Sequence, residues 1–206
     1  MEAIRGESPI EDIFAWHCMK YLSDEVTFDN QVWVNTEHGR FRIDFVLSEK
    51  NQKVAVECDG HDFHDEFRDE FRDAILLGEG HLGTIYHFRG CDLTYYPEDC
   101  IWLMSFLDSR LFIERGQLQL NQLHKLEIDH IRSGREDYIL KDPTSISSYR
   151  FWAFRRSIHN LPGWNLRHGP DWQYWKALYR FACEHPQAGL DELIQLERKG
   201  GSHAKT

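Results

Sequence analysis

Two β-favouring runs of period two, separated by a short polar loop, constrain this chain more than any other feature. Phe41-Arg42-Ile43-Asp44-Phe45-Val46-Leu47 and Val54-Ala55-Val56-Glu57-Cys58-Asp59-Gly60 flank Ser48-Glu49-Lys50-Asn51-Gln52-Lys53. That is a strand–turn–strand signal. With the hairpin symmetric about residues 50 and 51, Asp44 lies opposite Glu57. Leu47, Phe45 and Ile43 then face Val54, Val56 and Cys58 on one side of the sheet. On the other side Val46 meets Ala55, Asp44 meets Glu57, and Arg42 meets Asp59. A slip of one residue would scramble both faces, so the apolar pattern selects the register.

Opposed carboxylates on neighbouring strands repel at neutral pH and destabilise a sheet. One remedy is a cation from elsewhere in the chain, or a strand end open to water. The other is a divalent metal, since Mg²⁺ takes carboxylate and carbonyl oxygens. Carboxylates with perturbed ionisation gather at functional sites, which favours the metal reading of Asp44 and Glu57.

Charge bears on what such a site could act upon. The 206 residues carry 24 Lys and Arg against 34 Asp and Glu, a net −10, which excludes a general nucleic-acid coat. The imbalance is uneven: residues 1–149 hold 15 basic and 29 acidic side chains, and residues 150–206 hold 9 and 5. Polyanion chemistry at an acidic centre needs metal to neutralise it and basic residues to grip phosphate elsewhere. No apolar run approaches the roughly 20 residues of a membrane span, and no signal-peptide core follows Met1. Five scattered cysteines (18, 58, 91, 100 and 183) suit reduced thiols and a cytoplasmic protein.

Around the hairpin, Ser8-Pro9-Ile10-Glu11 opens a helix predicted to reach about Leu22, with Ser8 as N-cap and Glu11 completing a capping box. The capping box alone accounts for Glu11, and a catalytic duty stands beside it. Gln31–Asn35 adds a strand before the hairpin. After Gly60 a helix runs to about Leu77, with Phe63, Phe67, Phe71 and Ala74 on one face. Asp62, Glu66, Asp69 and Asp73 share another face and read as a solvated side rather than a metal site. Thr84–Phe88 is a fourth strand, Pro97 to about Phe112 a helix, and Gln117–Ile131 another. Helices near 146–158, 171–185 and 189–198 are predicted beyond Asp142-Pro143. There Trp152, Trp164, Trp172 and Trp175 lie among Arg150, Arg155, Arg156 and Arg167. Aromatic packing of a small helical unit explains this interleaving; phosphate contact with base stacking is the functional alternative.

The ordered set Glu11, Arg42-Ile43-Asp44-Phe45, Val54-Ala55-Val56-Glu57-Cys58-Asp59-Gly60, His64, Asp69-Glu70-Phe71-Arg72-Asp73, Phe88-Arg89 and Asp92-Leu93 resembles the PD-(D/E)XK nuclease superfamily. The branch it is most similar to surrounds the very-short-patch mismatch-repair endonucleases and their bacterial relatives. The resemblance spans roughly residues 7–112. It implies an α/β restriction-endonuclease-like core of helix, three-stranded antiparallel meander, helix, strand and helix over residues 1–132. A helical extension would occupy 145–199. It further implies an Mg²⁺- or Mn²⁺-dependent DNA endonuclease, nicking enzymes included, in repair or defence. Asp44, Glu57 and the Cys58 carbonyl would hold the metal. The usual Glu-x-Lys stands here as Glu57-Cys58-Asp59, so His64 or His61 would take over acid/base or phosphate-stabilising work. Arg72 would neutralise phosphate charge. For Asp59 the competing role is the cross-strand pair with Arg42, and for each histidine a surface position at a helix start. Arg150, Arg155, Arg156 and Arg167 would contact DNA, or the extension would dock a protein partner. The missing lysine keeps a second class open: a non-catalytic nucleic-acid- or protein-binding module on the same fold.

Overall fold

The computed structural model describes residues 6–60, 66–123, 127–132, 136–141, 148–155 and 174–200. Helix α1 (Pro9–Met19) starts where the capping residues place it: Ser8 is extended (φ −135°, ψ 156°), and its side chain accepts from the Glu11 amide. Strands β1 (Thr27–Thr36), β2 (Gly39–Glu49) and β3 (Gln52–Asp59) form the expected antiparallel meander. Helix α2 (Glu66–Gly78) crosses over to β4 (Thr84–Arg89), which pairs parallel to β3. Then follow α3 (Gly90–Tyr95), α4 (Pro97–Leu107), a short 3₁₀ turn and α5 (Glu114–Leu123). Strands β5 (Glu127–Arg132), β6 (Glu136–Lys141) and β7 (Ser148–Arg155) precede α6 (Tyr174–Cys183) and α7 (Leu190–Gly200). The mixed sheet has the order β1-β2-β3-β4-β7-β6-β5.

Two segments predicted as helix are strands. Glu127–Arg132 overlaps the end of the expected helix 117–131, and Ser148–Arg155 lies within that at 146–158. In the first, β-branched Ile128 and Ile131 pair with Leu140 and Tyr138 of β6. In the second, the run Tyr149–Phe154 suits a pleated surface and covers the edge of β4, with Ile85 opposite Phe154. Cross-strand partners outweigh a weak helical periodicity. The extension is therefore not wholly helical, although α6 and α7 form as expected.

Helices cover both faces of the sheet. On one, Phe14, Ala15 and Cys18 of α1 and Ile101–Met104 of α4 bury Phe45, Leu47, Val54, Val56, Tyr86 and Phe88. On the other, Phe71 and Ala74–Leu77 of α2, with Leu178, Ala182, Leu193 and Ile194 of α6 and α7, bury Val46, Ala55 and Ile85. Phe71 and Ala74 thus share the buried face assigned to them. Among the described residues no helix is long and apolar enough to cross a membrane.

The hairpin register is the expected one: Leu47 pairs with Val54, Val46 with Ala55 and Phe45 with Val56, around Lys50 in a left-handed conformation (φ 54°). Beyond Phe45 the strand changes face. Ile43 packs in the α2 cluster, not beside Phe45 as strict alternation predicts. On β1, Phe28 packs on the α1 side while Val32 and Val34 join the α2 side. The inversion falls at Gln31, left-handed at φ 52°, where the register skips from Asn30↔Phe45 to Val32↔Ile43. Asp44 stands opposite that skip.

Candidate active site

The parting of β2 from β3 at Asp44 places its carboxylate among backbone donors. Asp44 Oδ2 accepts from the Cys58 amide at 2.9 Å, and the Asp44 amide reaches Glu57 Oε2 at 3.4 Å. Side chains thus bridge where the strand ladder stops, and the two carboxylates come together as the register predicts. Burial raises the Asp44 carboxyl above its ordinary range, with Glu11 and Asp59 adding to the effect. Burial, opposed by Arg72 and aided by Asp44, pushes Glu57 up to about 8.

Glu57 points to the α2 side, and there lies a cation from elsewhere in the chain, the remedy that stood as the alternative to a metal. Arg72 Nη2 is 2.9 Å from Glu57 Oε1, and its Nε and Nη2 donate to Asp73 Oδ1 at 3.1 and 3.0 Å. Asp69 Oδ1, one turn earlier on α2, is 3.8 Å from Arg72 Nη1, at a mostly buried guanidinium. Asp73 is wholly buried, which corrects its place on a solvated stripe. His87 of β4, in register with Glu57, faces Asp73 Oδ2 at 2.6 Å through Nε2 and Asp59 Oδ2 at 3.2 Å through Nδ1. Burial alone would lower the His87 pKa, but Asp73 and Asp59 raise it to about 10. Burial would likewise raise Asp73, yet His87 and Arg72 hold it below its usual range.

His87 and Asp73 escaped sequence reasoning because each depends on a neighbour distant in the chain. The one available signal was a histidine in an otherwise apolar strand, Thr84-Ile85-Tyr86-His87-Phe88. The expected Arg42–Asp59 pair does not form: Arg42 binds Glu7 at 3.0 Å, and Asp59 faces His87. The face change at Asp44 removes Arg42 from Asp59's side of the sheet.

Glu11 sits beside the pair and performs more than a capping box. Its Oε1 accepts from Ser8 Oγ at 2.7 Å, and its Oε2 from the Glu7 amide at 2.9 Å and Gln31 Nε2 at 2.8 Å. It thereby ties α1 to the inversion point of β1. Glu11→Ala should cost about 1–2 kcal/mol in chemical denaturation, from the lost cap and a stranded Gln31 amide. Glu11→Gln can keep all three contacts, with its amide donating to Ser8 Oγ, and should melt within a few degrees of wild type. A Gln variant as unstable as Ala would show that the charge, not the geometry, is required.

Among the described residues no group of three or more His, Cys, Asp and Glu is arranged as a metal site. Magnesium, however, uses one or two carboxylates and fills its remaining positions with water and substrate phosphate. Glu57 Oε1 is buried and off the line of any hydrogen bond, although ion-paired to Arg72. A hard cation held by Asp44 and Glu57 with the Cys58 carbonyl would use Asp44 and the second Glu57 oxygen, because Oε1 already faces the Arg72 guanidinium at 2.9 Å. His61, His64, Arg156 and Arg167 lie outside the described residues. Arg150 and Arg155 lie on β7, with side chains outside the described set. Searches of protein-family models, curated proteins and solved structures find no match to this chain.

Proposed function

We propose that the chain is a magnesium- or manganese-dependent DNA endonuclease, hydrolysing phosphodiester bonds in repair or defence. The observation that carries this reading is the pairing of half-buried Asp44 with buried Glu57 at the point where β2 and β3 part. Bound there, Mg²⁺ would lower the pKa of a coordinated water and polarise the scissile phosphate. Asp44 is held by the Cys58 amide and Glu57 by Arg72, so the carboxylate pair is oriented before substrate arrives. Arg72, engaged by Glu57 and Asp73, positions Glu57 in this reading rather than reaching phosphate itself. Glu11, fixed by Ser8, Glu7 and Gln31, presents a further carboxylate at the edge of the site.

The Arg72–Glu57 ion pair also favours a second reading, a nucleic-acid- or protein-binding module whose former metal position is neutralised from within. Purified protein incubated with a panel of single-stranded, duplex, mismatched and branched DNA separates the two. Cleavage with Mg²⁺ or Mn²⁺ and none in EDTA is expected. Absence of cleavage across the panel, with calorimetry detecting no metal binding, would leave the binding module.

A further inference from the structure

The face change that creates the Asp44 site also builds a surface beside it. Past Gln31 and Asp44, Val32, Val34, Phe41 and Ile43 turn to the α2 side, where α7 and the turn before it brace the arm. His38 Nδ1 lies 2.9 Å from the Ala188 carbonyl, and the Leu190 amide donates to the His38 carbonyl at 3.2 Å. The alternate residues, Trp33, Asn35, Arg40 and Arg42, are therefore exposed on the α1 side. Trp33 is half exposed, and the Arg40 guanidinium stacks over its ring at 4.3 Å. Trp33 and Arg42 are register partners, and β1 is the edge strand of the sheet. An exposed indole flanked by two arginines on a rigid two-stranded arm has no packing purpose, because the apolar face of that arm is the other one.

The geometry points to this arm as a nucleic-acid contact surface that carries a DNA strand into the site. The inference rests on the nuclease reading and adds the surface that grips the substrate. Along β2, Arg42 and Arg40 lie two and four residues beyond Asp44, about 7 and 14 Å away along the backbone. They form a file of cations leading away from Asp44 on the α1 face, opposite the face on which Glu57 meets Arg72. Guanidinium groups match phosphate oxygens through paired donors, and an indole stacks on bases or sugars without sequence preference. In a chain of net charge −10, cations in line with an acidic centre supply the complementarity that the body lacks. Among the described residues Arg42 pairs with the exposed Glu7, and a surface pair of this kind exchanges readily for phosphate.

The test is binding of a labelled oligonucleotide, single-stranded and duplex, to the full chain in EDTA at stepped KCl concentrations. Arg40→Gln/Arg42→Gln should lower affinity about tenfold or more at low salt and flatten the salt slope by about two units. Trp33→Ala should weaken binding about tenfold with an unchanged slope, and Trp33→Phe should recover most of the loss. Thermal melts matching wild type establish that the variants are folded. If wild type binds DNA and the arm variants bind it equally well with the same slope, the arm assignment is wrong while the nuclease reading stands. If wild type binds neither form even at low salt, the arm assignment falls and a protein partner for the arm takes its place, while the cleavage panel decides the nuclease reading.

Discussion

His87→Gln is expected to destabilise the metal-free protein by about 3–5 kcal/mol, the cost of breaking one side of a buried ion pair. Among the described residues the wholly buried Asp73 carboxylate would then keep Arg72, which it already shares with Glu57. A loss of that size lowers the melting temperature by roughly 10 °C in a chain of this length. The effect should also depend on pH. The His87 pKa is raised from 6.5 to about 10, so its contribution is complete below 6.5 and is lost as pH rises through 10. Wild type should therefore lose stability over that window, whereas above pH 8, where Glu57 has finished titrating, the Gln variant should not. Asp73→Asn with His87→Gln should cost clearly less than the sum of the single changes. A single His87→Gln variant melting within two degrees of wild type, with the same pH slope, would mean that the network carries no stability.

Asp44→Asn and Glu57→Gln should each abolish metal-dependent cleavage, by about 10³-fold or more. Loss of metal-derived charge stabilisation is worth several kcal/mol, and each 1.36 kcal/mol is tenfold. Their stability should move the other way from that of His87. The Glu57 pKa rises from 4.5 to about 8 on folding. The folded state thus holds a proton that the unfolded state releases between those values, and stability falls as pH rises from 4.5 through 8. Glu57→Gln removes that penalty while keeping an acceptor for Arg72. In EDTA it should match wild type near pH 5 and exceed it by a few kcal/mol above pH 8. Wild type alone should gain stability from Mg²⁺ at alkaline pH. Scanning calorimetry across pH, with and without Mg²⁺, reads both effects. If Glu57→Gln melts well below wild type at pH 9 in EDTA, the charged carboxylate is structural, and the metal assignment loses its basis.

Much of this architecture was legible in the chain because it follows from local rules. Ser8, Pro9 and Glu11 fix the start of α1 through capping. The alternation of Phe45–Leu47 with Val54–Val56 selects one register, since any slip would expose a buried face. That register points Asp44 towards Glu57, and side-chain bonds complete the approach where the ladder ends at Phe45 and Val56. The helical face of Phe71 and Ala74 and the short strand Thr84–Arg89 were equally readable.

What the sequence could not decide depends on partners remote along the chain. Glu127–Arg132 and Ser148–Arg155 are strands only because β6 and the edge of β4 lie beside them. The left-handed residue at Gln31 inverts the faces of β1 and β2, which frees Arg42 from Asp59 and exposes Trp33 and Arg40. No periodicity announces a single inverted residue. Asp73 looks solvated on a helical wheel; it is buried because His87 and Arg72 neutralise it in a site that only the packing of α2 on β3 and β4 creates. Backbone propensity and apolar periodicity act over a few residues and can be read from them. The ionic network spans α2, β3 and β4, and its charges acquire their protonation states only once folding removes the water between them.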